Sequence, residues 1–408
     1  MTGAQLLALG HAAMARSHQL ILLGGGLGLL SIVAGLISRR IGAPVLLVFL
    51  AIGMLAGDDH LLGVQFDDFG SAYLIGSVAL AVILVEGGLK TPVSMLRLAF
   101  WPAAVLATIG VGVTAGILGA VVSLIDRVPL VPALLAGAAA APTDAAAVAV
   151  LLRRAGAALP ERLYAVLAVE SGLNDPMSVF LTFLLLRLIA EPGAIGVGGA
   201  FLLFLEEMAG GAALGLAGGW VLAQSLKRLP IEAPLAPILV LTGGLAVFGV
   251  AQLIGTSGFL ATYLAAVIIG ATQHRAHEDV EHFFEGMAWL AQIVLFLMLG
   301  LLVTPEELPP YLLGAVIGAA VLIVLARPVA VFFCLLPFGF NLRETAFASW
   351  VGLRGTVPIY LSIIPALADP RRDERLFASV FILVIASLLV QGWTVGSAAR
   401  LLGFARRR

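Results

Sequence analysis

The run Glu170-Ser171-Gly172-Leu173-Asn174-Asp175-Pro176 decides the fold of this chain, together with the shorter run Ala141-Pro142-Thr143-Asp144 upstream of it. Both runs place carboxyl, amide and hydroxyl groups within sequence that is otherwise apolar enough to lie in lipid. A charge at the centre of a bilayer costs at least about 2.5 to 3.5 kcal/mol, so ionisable residues there are rare and mark functional sites. The two runs therefore predict an ion site inside a membrane.

The composition predicts a membrane location for the whole chain. Of its 408 residues, 61% are hydrophobic and 12% are charged, whereas a soluble protein carries about 25% charged residues. An all-α polytopic protein embedded in the lipid bilayer is therefore predicted. The net charge of −1 indicates no nucleic-acid partner, and the lone Cys334 cannot form an intrachain disulfide. No cofactor is predicted.

Apolar segments of about 17 to 25 residues predict membrane-spanning helices. Thirteen such segments cover residues 20–38, 43–57, 71–89, 101–124, 130–152, 163–187, 200–226, 234–254, 257–273, 286–303, 311–334, 345–366 and 376–398. We expect residues 1–19 to form an exposed lead-in, because polar residues interrupt any apolar run there. Residues 399–408 are predicted to be a cytosolic tail.

The positions of lysine and arginine predict the orientation in the membrane. Basic residues favour cytoplasmic loops, and here they collect in alternate loops. One set holds fifteen: Arg39, Arg40, Lys90, Arg97, Arg153, Arg154, Arg162, Lys227, Arg228, Arg275, Arg343, Arg400 and Arg406 to Arg408. The other set holds five: Arg16, Arg127, Arg371, Arg372 and Arg375. This bias places the N-terminus outside and the C-terminus in the cytosol.

Two predicted spans are broken by polar residues and proline. Pro142-Thr143-Asp144 interrupts the fifth span, and the run from Gly352 through Arg354, Gly355 and Pro358 interrupts the twelfth. Corresponding interruptions in two halves indicate an inverted-repeat transporter whose discontinuous helices meet at the midplane. The halves are predicted at about 20–187 and 234–398, with 200–226 as the connecting helix.

Asp175 is the predicted ion and proton carrier. Ser171 lies one helical turn before it on the same face, and hard oxygen ligands suit a small monovalent cation. A proton and a cation compete for the single negative charge, and this competition is sufficient for antiport. Thr143 either faces the ion or only caps a half-helix. Glu86 is either a further ligand or an interfacial carboxylate.

The remaining polar groups of the two runs receive structural roles. Glu170 is either a second ligand or the counter-ion of an arginine, and Arg354 is the natural candidate because an unpaired guanidinium in the membrane is costly. Asn174 is then expected to hydrogen-bond to the same pair. Asp144 is expected to compensate the positive end of a half-helix.

Other chemistries fit the sequence less well. Gly255-Thr256-Ser257-Gly258 has no histidine base within a span, and His277 and His282 are five apart rather than the four that a zinc motif needs. An aspartyl protease would have to pair Asp144 with Asp175. A channel would need a row of coordinating groups, whereas the sequence shows one site. The histidines of the loop around residue 277 either sense pH or are simply exposed to solvent.

At these residues the sequence resembles the NhaP and CvrA branch of the monovalent cation:proton antiporters, over essentially the whole chain. The resemblance implies exchange of K⁺ or Na⁺ for H⁺, with potassium favoured, by a homodimer whose core domain moves against a dimerisation scaffold. The Asn174-Asp175 pair implies electroneutral exchange, and a bacterial inner membrane is expected. Chains of the CvrA type normally continue into a cytosolic regulatory domain, whereas this sequence stops at Arg408. The roles that the resemblance implies are a carrier at Asp175, ion ligands at Ser171, Thr143 and Glu86, and a structural pair of Glu170 and Arg354 that involves Asn174.

Overall fold

The computed structural model describes residues 3–41, 44–57, 64, 66–368 and 374–404. Within these ranges the chain is helical, without a named strand. The α-helices are α1 (Gly3–Ile41), α2 (Val45–Ala56), α3 (Phe69–Leu89), α4 (Val93–Val105), α5 (Val111–Asp126), α6 (Leu130–Ala140), α7 (Ala145–Ala155), α8 (Glu161–Ala190), α9 (Val197–Arg228), α10 (Leu235–Leu253), α11 (Gly258–Gly270), α12 (His277–Leu301), α13 (Pro309–Val321), α14 (Arg327–Leu335), α15 (Leu342–Trp350), α16 (Thr356–Ala368) and α17 (Glu374–Leu401). Single π-helical turns join α4 to α5 and α13 to α14, so each pair forms one continuous rod.

The helices confirm the predicted all-α membrane fold. Nine helical rods in the described ranges are long and apolar enough to cross a bilayer, and the bent pair α6 and α7 makes a tenth. Three shorter apolar helices, Val45–Ala56, Gly258–Gly270 and Thr356–Leu367, overlap the second, ninth and twelfth predicted segments. The predicted count of thirteen is compatible with these helices and remains a prediction.

At the two ends of the chain, helices extend beyond the predicted spans. The predicted lead-in is helical from Gly3 onward, because α1 continues through it into the first span. At the other end, α17 continues into the predicted tail as far as Leu401. Several of the basic residues that predict the orientation lie outside the described residues, namely Arg371, Arg372 and Arg406 to Arg408.

Close helix packing holds α9, which covers the seventh predicted span, against its neighbours. The face of α9 that carries Gly211, Gly215 and Gly219 lies directly on α11, whose Ala261 and Ala265 backbones it approaches. Small residues allow such contact, which in lipid replaces the hydrophobic effect as a source of helix association. In turn, α11 packs on α3 and places Tyr263 beside α8. Tyr263 thereby lines a cavity that Asp175 also lines.

The two predicted helix breaks are present and meet each other. Residues 141–144 separate α6 from α7, with a bend of 44°. Residues 351–355 separate α15 from α16. The backbone N–H of Asp144 donates to the carbonyl of Leu353 at 2.8 Å. The two breaks therefore satisfy part of each other's backbone hydrogen-bonding groups. Such groups need partners when they are buried away from water.

Candidate ion site at the crossing of two broken helices

Asp144 caps the second half of the first broken helix. Its side chain accepts a hydrogen bond from the backbone N–H of Ala147 at 2.9 Å, at the N-terminus of α7. A carboxylate at this position also offsets the positive pole of the helix dipole. Gly355 of the second break leaves room for it, since a Cβ at position 355 would lie 2.5 Å from Asp144 Oδ2. A larger residue at 355 would displace the cap.

Arg354 compensates the opposite half-helix end. It is 1% exposed, and its Nη1 donates to the carbonyls of Ala141 at 2.7 Å and Pro142 at 3.1 Å. These carbonyls follow the C-terminus of α6, where the helix dipole is negative. The predicted ion pair of Arg354 with Glu170 is therefore wrong, because the guanidinium is bonded to carbonyl groups that only a break in the helix exposes.

Glu170 pairs instead with Arg327 of α14. Arg327 Nη1 and Nη2 donate to the two carboxylate oxygens at 2.5 and 2.8 Å, and the side chains of Arg327 and Glu170 are 3% and 1% exposed. Such a bidentate pair is the arrangement in which two buried charges tolerate the loss of water. The stem of Arg327 also packs on Gly352, so the pair connects α8 to the second break. The sequence prediction gave Arg327 no role at the site.

Thr143 is held by two side chains of α8. Asn174 Nδ2 donates to Thr143 Oγ1 at 2.8 Å, and Ser171 Oγ donates to the Thr143 carbonyl at 2.8 Å. The Ser171 hydroxyl also accepts from the backbone N–H of Ala145 at 3.2 Å. The prediction that Asn174 bonds to the Glu170 and Arg354 group is wrong, because Asn174 faces the first break. Ser171 and Asn174 therefore hold the first break against α8, next to Asp175 in the sequence.

Asp175 is the carboxylate of this cluster that lacks a charge partner. Its Oδ1 is buried and has no hydrogen-bond partner among the described residues. Asp175 lines a cavity of about 250 Å³ together with Thr143, Asp144 and Ser171. Thus three of the four predicted ion-binding residues line a single cavity.

Glu86, the fourth predicted ligand, lies in the last turn of α3. It lines the same cavity, and its Oε1 lies 2.6 Å from Nζ of Lys90. In this conformation Glu86 is therefore bonded to a lysine and makes no direct hydrogen bond to the Asp175 cluster. The cavity also reaches Arg153 and Arg154, which belong to the loops predicted to be cytosolic.

Two residues of α17 complete the second break and are absent from the sequence prediction. Gln391 Nε2 donates to the carbonyl of Trp350 at the end of α15, at 2.7 Å. Ser387 donates to Gln391 Oε1 at 2.6 Å and accepts from the backbone N–H of Arg354 at 3.2 Å. Sequence alone gives no signal for them, because hydroxyls and amides in an apolar helix usually bond to their own backbone.

His274 lies outside the spans, between α11 and α12. Burial, helped by the charges of His277 and Lys227, lowers the pKa of His274 below its ordinary value of 6.5. Its two ring nitrogens are buried without a hydrogen-bond partner in the described chain. This histidine is therefore neutral near pH 7, and its role in pH sensing stays a prediction.

Two broken apolar helices that cross beside an isolated carboxylate are typical of one class of protein, the secondary transporters. The family model described as "Sodium/hydrogen exchanger, transmembrane" matches residues 28–400. This chain belongs to that family. It is therefore a cation/proton antiporter rather than an enzyme or a channel, and the family resemblance found in the sequence is confirmed.

Known relatives agree with this assignment. The "K(+)/H(+) antiporter NhaP2" of Shewanella sp. (strain ANA-3) is 42% identical over 386 residues, which are 94% of this chain and 67% of the relative. The "K(+)/H(+) antiporter NhaP" of Alkalimonas amylolytica is 43% identical over 380 residues, or 93% of this chain and 66% of the relative. The chain thus spans about two thirds of the length of these relatives. The "Na(+)/H(+) antiporter NhaH" of Halobacillus dabanensis is 26% identical over 343 residues, 80% of this chain and 82% of the relative.

A solved structure shows the same fold. The sodium proton antiporter MjNhaP1 from Methanocaldococcus jannaschii superposes with a TM-score of 0.80 at 22% identity, covering 94% of this chain and 99% of that one. At this identity the likeness concerns the fold alone. It confirms the predicted antiporter fold with its crossing broken helices.

Proposed function

We propose that this protein exchanges K⁺ for H⁺, one for one, with Asp175 carrying both ions in turn. The observation that carries the proposal is the buried Asp175 Oδ1, which has no hydrogen-bond partner in the described chain. The other charged groups at the crossing are already neutralised: Glu170 by Arg327, and Asp144 and Arg354 by half-helix ends. A lone carboxylate facing a cavity requires a cation or a proton to neutralise it.

Competition for one negative charge couples the two ions. The carboxylate is costly to move across the membrane uncompensated, so it crosses only with K⁺ or with H⁺ bound. Since either ion neutralises the same single charge, the carrier is neutral in both directions. Neutral Asn174 beside it adds no second charge, which supports electroneutral exchange.

The proposed cation shell consists of oxygen atoms around Asp175. Ser171, Thr143 and Glu86 line the same cavity as Asp175, and the Ser171 hydroxyl and the Thr143 carbonyl are hydrogen-bonded to each other. Oxygen ligands of this kind suit a hard monovalent cation. Potassium is preferred to sodium because the relatives with the higher identity are K⁺/H⁺ antiporters by name.

We also propose the arrangement of the protein in its membrane. The cavity lining includes the exposed residues Lys90, Arg153 and Arg154, and basic residues favour the cytoplasmic side. The described state is then open to the cytosol, with the N-terminus outside, in a bacterial inner membrane. The two halves, at about 20–187 and 234–398, are proposed to be inverted repeats around the connecting helix 200–226. A homodimer is proposed on the family resemblance.

Substitution of Asp175 tests the carrier role. In proteoliposomes containing a fluorescent pH probe, Asp175→Asn should abolish proton movement driven by a K⁺ gradient, because the amide binds neither ion as a counter-charge. Asp68→Asn makes the same chemical change at the N-cap of α3, outside the site, and asparagine caps equally well. It should retain wild-type exchange. Exchange by the Asp175 variant would refute the proposal.

Parallel measurements separate the finer claims. Supplying K⁺, Na⁺ or Li⁺ alone should give the highest rate with K⁺. An imposed membrane potential should leave the exchange rate unchanged if the process is electroneutral. A flux that follows the potential without coupled proton movement would indicate a channel.

A further inference from the structure

The end of α3 carries an ion pair that faces the cavity. Lys90 Nζ lies 2.6 Å from Glu86 Oε1, and the two side chains are 46% and 17% exposed. Glutamate four residues before lysine is the favoured order on a helix, and a cation at the C-terminus offsets the helix dipole. The Lys90 ammonium group therefore already binds the Glu86 carboxylate, which is a candidate ligand for the transported cation.

The backbone at this point is fixed, whereas the lysine side chain is not. Thr91 Oγ1 donates to the carbonyl of Gly87 at 2.7 Å, and Tyr263 OH of α11 donates to Thr91 Oγ1 at 3.5 Å. These bonds fix the last turn of α3 against α11. The half-exposed Lys90 side chain carries its compact charge on a flexible stem of four carbons. Glu86 is therefore freed most easily by movement of the lysine alone.

A second acceptor for Lys90 lies nearby on α12. Glu285 Oε1 is 3.9 Å from Lys90 Nζ and is more exposed, at 56%, than Glu86. Both Glu285 and Lys90 line the cavity that ends at Asp175. A short movement of the ammonium toward Glu285 thus exchanges one carboxylate partner for another and leaves Glu86 to face the cavity.

We propose that Lys90 is a tethered competitor of the transported cation. Its ammonium holds Glu86 while the site is empty, and it moves to Glu285 when the cation takes Glu86. This inference rests on the proposed function, in which Glu86 is a cation ligand. Lys90 then sets the apparent affinity for the cation on the open side of the cavity, and it acts through Glu86 without contacting Asp175.

Apparent KM values for the cation test the inference. In everted membrane vesicles with an acid interior, addition of K⁺ outside discharges the proton gradient, which an acridine probe reports. Lys90→Gln should lower the apparent KM for K⁺ about two- to fivefold, the range expected for a partly exposed ion pair, without raising the maximal rate. Glu285→Gln should raise the KM, because it removes the alternative partner and leaves Lys90 on Glu86.

Three variants separate this effect from a general electrostatic one. Lys90→Arg keeps the positive charge and should stay near the wild-type KM. Arg153→Gln removes another exposed positive charge from the same cavity lining and should change the KM by less than Lys90→Gln does. In a Glu86→Gln background, which raises the KM by itself, Lys90→Gln should have no further effect, since it acts only through Glu86.

The outcomes are distinct. Equal decreases in KM for Lys90→Gln and Arg153→Gln, or a decrease that persists in the Glu86→Gln background, would overturn the inference. A common KM for all variants would overturn it too, while leaving exchange at Asp175 in place. Absence of cation-dependent discharge by the wild-type protein would instead refute the proposed function.

Discussion

Removal of one partner of the Glu170 and Arg327 pair should destabilise the protein strongly. Both side chains are almost fully buried, and two hydrogen bonds of 2.5 and 2.8 Å join them. Breaking a buried pair from one side leaves an unpaired charge, at a cost of about 3 to 5 kcal/mol. Replacing both charges with apolar residues of similar volume is often nearly neutral. We therefore expect Glu170→Met and Arg327→Met to be severe singly and mild together.

The double-mutant cycle gives the size of the effect. If each single change costs about 3 to 5 kcal/mol and the double change much less, the coupling energy exceeds about 3 kcal/mol. Methionine at 327 keeps an apolar stem over Gly352, so packing there changes little. The thermal midpoint of the purified protein, followed by tryptophan fluorescence at one scan rate, should fall by about 6 to 10 °C in each single variant and recover in the double variant.

A parallel cycle with Arg354 makes the result decisive. Arg354 bonds to the carbonyls of Ala141 and Pro142, so Glu170→Met and Arg354→Met should show a much smaller coupling. Strong coupling of Glu170 to Arg354, or simple additivity with Arg327, would refute this account of the buried charges.

Two further predictions concern a close contact and a loop. Gly355→Ala should slow exchange, because a Cβ there would displace the Asp144 carboxylate from the N-terminus of α7. The matched control is Gly249→Ala, because a Cβ at position 249 meets nothing within 4 Å. Equal exchange rates for the two variants would contradict the close contact at Gly355. His274 has a pKa below 6.5 in the folded protein because burial disfavours its charged form, so the unfolded chain binds more protons and stability should fall as the pH drops below about 6.5. The thermal midpoint of His274→Gln should fall less than that of the wild type between pH 7 and 5, and identical pH profiles would exclude this contribution.

The breaks and the polar site were predictable because their causes are local. Pro142 cannot donate a helical hydrogen bond, and the run from Gly352 to Gly355 combines glycines with a charge. Polar residues in an apolar span are costly wherever they lie, so Asp175 and Ser171 were identifiable without tertiary structure. The spans followed in the same way from segment length and hydrophobicity.

The partners of the buried charges were not predictable from local sequence. Arg327 and Arg354 lie in neighbouring predicted spans. The energetic cost of an unpaired charge in the membrane applies to both arginines, so it does not decide which of them pairs with Glu170. The choice depends on where α6 ends, since its exposed carbonyls attract Arg354. Asn174 was misassigned for the same reason, because its bond to Thr143 depends on the position of the first break relative to α8.

The balance of charge where the two broken helices cross supports the proposal that Asp175 alone carries the ions. Arg354 offsets the negative end of α6 and Asp144 the positive end of α7, so each charge is compensated by backbone dipoles. Glu170 and Arg327 cancel each other. Asp175 then contributes the one negative charge that no described residue compensates, and a single K⁺ or a single H⁺ restores neutrality. An aspartate at position 174 would supply a second uncompensated carboxylate. The site would then carry a net charge across the membrane in one of the two directions of transport. The proposed one-for-one stoichiometry therefore depends on the neutrality of Asn174.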